Sequence, residues 1–192
     1  MSNIAIVYHS GYGHTAVQAE AVARGARRVG NATVNLIKVD EVDAHWDDLA
    51  AADAIIFGSP TYMGAASAAF RQFAEKSSKV WYTQGWKDKL AAGFTNSASQ
   101  SGDKLNVLVE LAIFAAQHAM IWIGLDLPPG NNNSKGSVED LNRLGSFLGA
   151  MAQSNADQGP EAGPPAADQR TAERLGERVA TLAKTRSFAA AA

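Results

Sequence analysis

The chain has 192 residues, 46% of them apolar and 19% charged, with a formal net charge of −2 at neutral pH. That is the balance of a soluble globular domain with one substantial core, and its basic residues are scattered, which offers nothing to nucleic acid or to an anionic membrane surface. Cysteine is absent, which excludes disulfides, thiolate catalysis and iron–sulfur ligation; with no signal-peptide pattern and no apolar run of about 20 residues, the expectation is a cytoplasmic protein without a membrane span.

Strand and helix signals alternate from the start. Ile4 to Tyr8 is a short apolar run, as expected of a strand covered on both faces. From Gly13 to Val29 the period becomes helical, with Ala19, Val22, Ala26 and Val29 on one face, and Gly30-Asn31 closes the helix. Thr33 to Val39 reads as a second strand, Trp46 to Ala51 as a short helix, and Asp53 to Gly58 as a third strand. Ala66 to Glu75 is helical, with Ala66, Ala69, Phe70 and Phe73 inward, and Lys89 to Thr95 is a fourth strand. Lys104 to Gln117 is a helix that is apolar over much of its surface (Leu105, Leu108, Val109, Ala112, Ile113, Ala116), and Ala119 to Gly124 is the fifth strand. Leu127 to Gly136 and Ser154 to Ala167 read as loops from their Pro, Gly and Asn content, and Asp168 to Lys184 as a closing helix. No repeat or linker divides the chain, so residues 1–186 are expected to form one domain, with a frayed tail over 187–192.

Five strands interleaved with helices predict a parallel sheet covered on both faces. Such sheets bind ligands beyond the carboxyl ends of their strands, near the point where strand order reverses. Three loops follow strands on that edge. The first, Ser10, Gly11, Tyr12, Gly13, His14 and Thr15, reads either as an anion nest of backbone N–H groups and hydroxyls or as a capped helix start. It lacks the Gly-Lys-Ser/Thr of a triphosphate loop and the three spaced glycines of a dinucleotide site, and suits one phosphate monoester. The second, Gly58 to Gly64, sets Pro60, Thr61, Tyr62, Met63 and Gly64 where a flat ring could lie; alone it is an ordinary strand-to-helix turn. The third, Thr95, Asn96, Ser97, Ala98, Ser99, Gln100, Ser101 and Gly102, is either a polar edge for a heterocycle or a solvent-facing cap. Together they supply a phosphate nest, a ring wall and a polar edge, in the places expected for a bound mononucleotide. No side chain stands out as an acid or base, and no metal-ligand cluster is evident.

The stretches "IAIVYHSGYGHT", "DAIIFGSPTYMG" and "AAGFTNSASQSG" resemble the three flavin mononucleotide (FMN) loops of the flavodoxin-like superfamily. The Tyr-Gly-His core of the first loop, with "AAQHAMIWIG" and the stretch from Asn155 to Ala183, is similar to the WrbA-type NAD(P)H:quinone oxidoreductases, so the resemblance covers most of the chain. It implies a flavodoxin-like three-layer sandwich, α/β, with a five-stranded parallel sheet in the order 2-1-3-4-5. Carried over by residue, Ser10 to Thr15 would hold the FMN phosphate, Pro60 to Gly64 would run along the isoalloxazine, and Thr95 to Gly102 would reach its pyrimidine side and the ribityl chain. His118 matches a histidine that lies near the flavin in that family. The chain departs from it in a short segment between the second and third strands and in Tyr62-Met63, where the family usually has Arg-Phe.

The implied activity is that of an FMN-dependent oxidoreductase passing electrons from NAD(P)H to a quinone or similar acceptor. Two other classes remain: a flavodoxin-like electron carrier without its own substrate, and a flavin-free binding module on the same fold. Tyr62, Met63 and Trp81 around an open flavin edge would invite a neighbouring subunit, so a homo-oligomer, dimer or tetramer, is expected.

Overall fold

The computed structural model describes the backbone of residues 2–190 and the side chains of residues 2–186. In chain order the elements are β1 (Ser2–Tyr8), α1 (His14–Arg27), β2 (Ala32–Lys38), a 3-10 turn (Val39–Ala44) and α2 (Trp46–Ala51). Then come β3 (Ala54–Tyr62), β4 (Ala65–Ala66), α3 (Ala68–Lys76), α4 (Ser78–Tyr82) and β5 (Leu90–Ser97). The chain closes with α5 (Lys104–Gln117), β6 (Ile121–Trp122), β7 (Ala150–Gln153) and α6 (Ala166–Ala190). The sheet runs β2-β1-β3-β5-β6 with parallel pairing throughout. Set against the five expected strands this is the order 2-1-3-4-5, the flavodoxin-like arrangement, with two small additions: β4 folds back antiparallel on β3, and β7 pairs with β5.

The continuous apolar runs follow from burial on two sides. In β1, Ile4, Ile6 and Tyr8 face a core shared with α1 and α6, and Ala5 and Val7 face a second core shared with α2, α3 and α5. In β3, Ala54 and Ile56 point to the first core, and Ile55 and Phe57 to the second. The second core is aromatic, with Phe57, Phe70, Phe73, Phe114 and Trp86 in mutual edge and tilted contacts. The first is rich in alanine where helices meet, and it is closed by α1 packing directly on α6. A β-carbon at Gly25 would fall 1.8 Å from the Glu173 carbonyl oxygen, and one at Gly176 would fall 1.9 Å from that of Val22. Only glycines let the two helices approach so closely.

Three elements differ from the sequence reading. The fifth strand is made in two pieces: Ile121–Trp122 pairs with Leu90–Ala91, and Ala150–Gln153 pairs with Phe94–Ser97. The chain departs between them over residues 123–149, through a stem in which the Leu125 N–H donates to the Phe147 carbonyl at 2.8 Å. The second piece is small and lightly apolar because it must nestle against β5; a β-carbon at Gly149 would meet the Gly93 carbonyl oxygen at 2.2 Å. Such composition carries little strand signal. On α5, the buried face is Lys104, Val107, Leu108, Leu111 and Ala115, while Leu105 and Ile113 are 58% and 57% exposed. Finally, α6 is helical through Ala190 rather than frayed from Ser187; Ala191 and Ala192 lie outside the described residues.

Candidate functional site

The carboxyl ends of β1, β3, β5 and β7 open into one cleft of about 490 Å³. The first loop lends it Tyr12, His14 and Thr15, the second Pro60, Thr61 and Tyr62, and the third Asn96, Ser97 and Ala98. A fourth wall, Ser154–Ala156 with Gln158 and Gly159, comes from the segment after β7. In the sequence this segment reads as a plain loop. Its signal is indirect: a Gly- and Pro-rich stretch directly after a strand becomes a site loop once that strand is recognised.

In the first loop both readings of Ser10 hold at once. Its Oγ accepts the Ala16 N–H at 3.0 Å, a helix-capping role, and its own proton remains free to donate. Gly13 takes φ +90° to swing the chain into α1, and the Val17 N–H returns to its carbonyl at 3.1 Å. Among the described residues the backbone N–H groups of Tyr12, Gly13, His14 and Thr15 have no acceptor in place, and the hydroxyl of the buried Thr15 has no protein partner. Orphan donors at the positive end of a 14-residue helix form an anion cradle without a formal charge. The fourth loop lies across this one. His14 Nε2 is 2.9 Å from the Gln158 carbonyl oxygen, and the Pro160 ring stands where a β-carbon on Gly13 would meet it at 2.8 Å.

The second and third loops are locked together by the buried hydroxyls of Thr61 and Thr95, 2.8 Å apart. Beyond Thr61 the chain makes a tight hairpin into β4 through Met63 (φ 49°) and Gly64 (φ 77°), both left-handed, as a two-residue hairpin turn demands. The turn leaves Met63 wholly exposed at its tip and holds Tyr62 edge-on to Tyr12, ring centres 6.2 Å apart, as an aromatic rim. Burial raises the Tyr62 phenol above its ordinary range, so it stays protonated. The third loop is tied on three sides. Asn96 donates to Ser154 Oγ at 2.8 Å, Gln153 Nε2 to the Ala98 carbonyl at 2.9 Å, and Lys104 Nζ to Ser97 Oγ and the Ser99 carbonyl at 2.6 Å each.

The structure thus gathers most of the residues singled out in the sequence. Ser10, Gly11 and Gly13 shape the first turn, and Met63 and Gly64 form the hairpin tip beside the cleft. Ser99, Gln100, Ser101 and Gly102 do not line it; Gln100 and Ser101 border a separate, wider groove between α5 and residues 143–151. His118 is not brought to the cleft. It ends α5 at the opposite edge of the sheet, 2% exposed, with its ring 4.4 Å from Trp86 and 5.0 Å from Phe114. Ser77 Oγ donates to the Ala74 carbonyl and sits 2.9 Å from His118 Nε2, so the ring proton is on Nε2 and the buried Nδ1 has no partner. Burial lowers its pKa to about 4, which keeps the ring neutral. Trp81 does not line the cleft either: it lies on α4, where its backbone N–H donates to the Ser77 carbonyl.

No group of three or more His, Asp or Glu that could hold a metal occurs among the described residues, and no described helix is long and apolar enough to cross a membrane. Comparison with known proteins agrees with the fold. The chain is 42% identical over 161 residues to flavodoxin FldP of Pseudomonas aeruginosa, covering 82% of this chain and 84% of that protein. It is 31% identical over 176 residues to a protein of Aromatoleum aromaticum named NAD(P)H dehydrogenase (quinone), covering 80% and 83%. The crystal structure of a WrbA-like flavodoxin from Agrobacterium tumefaciens superposes with a TM-score of 0.75 at 41% identity, covering 96% of this chain and 99% of that one. The flavodoxin domain family matches residues 5–154. The chain belongs to the flavodoxin family.

Proposed function

We propose that the cleft binds FMN and that the protein is an oxidoreductase using NAD(P)H to reduce a quinone-like acceptor. The observation that carries the flavin reading is the first loop: four unpaired N–H groups and a free hydroxyl at a helix start, beside a cleft of about 490 Å³. Those donors fit a phosphate monoester, held by the backbone and by Ser10 and Thr15. Pro60, Thr61, Tyr62, Met63 and Gly64 would border the ring, and Asn96 to Ala98 its polar edge. Bound there, the flavin would accept a hydride from NAD(P)H and pass two electrons to the acceptor, whose two protons would come one from the hydride and one from solvent. The residues of this chain bind and orient; the Thr61–Thr95 lock fixes the spacing of the two loops that flank the ring, and the Tyr12–Tyr62 rim shields one side of the cleft.

The test is ligand selectivity. FMN should bind with riboflavin at least tenfold weaker, and Ser10→Ala should weaken FMN by about ten- to a hundredfold while leaving riboflavin nearly untouched. Gly13→Val should do more harm, since φ +90° and the Pro160 contact both oppose a branched side chain. Equal binding of FMN and riboflavin overturns the phosphate assignment. A second reading, an electron carrier with no substrate of its own, is favoured by the 42% identity to a protein named flavodoxin. Steady NAD(P)H oxidation with added benzoquinone supports the enzyme, and its absence from FMN-loaded protein supports the carrier. The exposed Tyr12 and Met63 (78% and 102%) further motivate a symmetric homo-oligomer, which light scattering at the monomer mass of 20.2 kDa would refute.

A further inference from the structure

Lys104 is the least expected residue near the cleft. Its side chain is fully buried, a state in which lysine is seldom found without a carboxylate partner. Its hydrogen bonds go instead to two neutral oxygens, Ser97 Oγ and the Ser99 carbonyl. The nearby Asp168 is already spent. Its oxygens take the Arg143 guanidinium at 2.7 and 2.8 Å, and one also accepts the Gln153 N–H at 2.9 Å. Arg143 and Asp168 cancel, so this buried cluster carries one uncompensated positive charge. Lys104 also opens α5, where the helix dipole disfavours a cation.

The arrangement is costly on three counts, and a methionine of similar length would avoid all three. What the cation does is visible in the loop around it. Ser97 donates to the Ser99 carbonyl at 3.0 Å, so its lone pairs are turned to the ammonium. Gly102, at φ +52°, closes the ring; a β-carbon there would strike Ser97 Oγ at 2.3 Å. The loop is wrapped on the ammonium, and Ser97 is itself a wall of the cleft. One hydrogen bond therefore separates a buried positive charge from whatever occupies the cleft. Burial draws the lysine pKa down to about 8, and it is still largely protonated at neutral pH.

We infer that Lys104 is a positioning residue that holds the third loop and whose buried charge favours the reduced flavin, the more electron-rich form, over the oxidised one. The inference rests on the FMN reading above. A cation within several ångströms in a poorly screened site acts on added negative charge far more than on the neutral ring. It therefore shifts the ratio of the two affinities and not only their common level.

The experiment measures FMN dissociation constants for oxidised and for anaerobically dithionite-reduced flavin, in wild type and in Lys104→Met and Lys104→Gln, with far-UV circular dichroism to verify folding. The ratio of reduced to oxidised dissociation constants should rise roughly tenfold in both variants, with Lys104→Arg near the wild-type ratio. Ser97→Ala, which keeps the charge and removes one tether, should weaken both forms together and serves if the neutral variants do not fold: a ratio altered there as much as expected for charge loss overturns the inference. An unchanged ratio in folded Lys104→Met or Lys104→Gln overturns it too, with FMN binding intact. If wild type binds neither form of FMN, the flavin reading itself falls and takes this inference with it.

Discussion

Helix α5 buries a basic side chain at each end, and the two have opposite fates. At its start, Lys104 is enclosed by oxygens and holds its proton; at its end, His118 is enclosed by Trp86 and Phe114 and gives its proton up. Both are fully or almost fully buried, so burial alone does not separate them. The difference is in what can solvate a charge. Ser97 Oγ and the Ser99 carbonyl replace part of the water shell of an ammonium, whereas an aromatic cage with one serine offers the imidazole a single partner. The polar end faces the cleft and the aromatic end the opposite edge of the sheet. A buried base marks the site only where its surroundings keep it charged.

The contrast can be broken most severely by placing a charge in the aromatic end. His118→Lys should cost about 3 kcal/mol or more at pH 7, read as a drop in the urea midpoint, because the position is enclosed by Trp86 and Phe114, with Ser77 as its side-chain hydrogen-bond partner. Acid should do the same more gently. The His118 pKa is about 4 folded and about 6.5 unfolded, so the unfolded state takes up the extra proton between these values. Stability is whole above about pH 6.5 and falls as pH drops toward 4, by up to about 1.4 kcal/mol per unit. His118→Gln should flatten that part of the profile; an unaltered slope would show that the histidine is charged in the fold. Ser77→Ala strands the Nε2 proton and should cost roughly 1–2 kcal/mol by thermal or urea unfolding.

The cleft end should respond least in stability. Lys104→Met gives up two hydrogen bonds but relieves a buried charge, and these offset to within about 1 kcal/mol at neutral pH. With a folded pKa of about 8 against about 10.5 unfolded, the wild type gains stability as pH rises through that interval, since the unfolded chain binds more protons there. The methionine variant lacks this gain. A loss of several kcal/mol in Lys104→Met would instead make the ammonium a structural keystone.

These two residues also show what the sequence could reveal. The parallel sheet and its order were legible, because β1 and β3 carry continuous apolar runs (Ile4 to Tyr8 and Ala54 to Phe57) and glycine-containing turns follow them. The first three loops were legible for the same reason. The resemblance singled out His118, yet a histidine at a helix end reads the same whether it faces a ligand or a core. Lys104 was passed over although it shares the face of Val107, Leu108, Leu111 and Ala115. Helix α5 is apolar on two sides, with Leu105, Val109 and Ile113 forming the exposed one, so periodicity alone did not fix which side turns inward. The fourth wall was hidden one step further back, behind a four-residue strand of Ala, Met, Ala and Gln with little propensity of its own.

The divided edge strand has a consequence for how this architecture can be remodelled. Trp122 pairs with Ala91 and Ala150 with Phe94, so only Ala92 and Gly93 lie opposite the break. At about 3.3 Å per residue, a two-residue splice from Trp122 to Ala150 would span the break in place of residues 123–149, at the loss of the buried Leu125 and of the Arg143–Asp168 ion pair. The sheet therefore keeps a socket, its two lips held in register by the same strand, into which a segment can be fitted or from which it can be withdrawn. Segments of different length and chemistry exchanged at that socket would replace Arg143, the ion-pair partner of Asp168, while leaving the first two loops of the cleft in place.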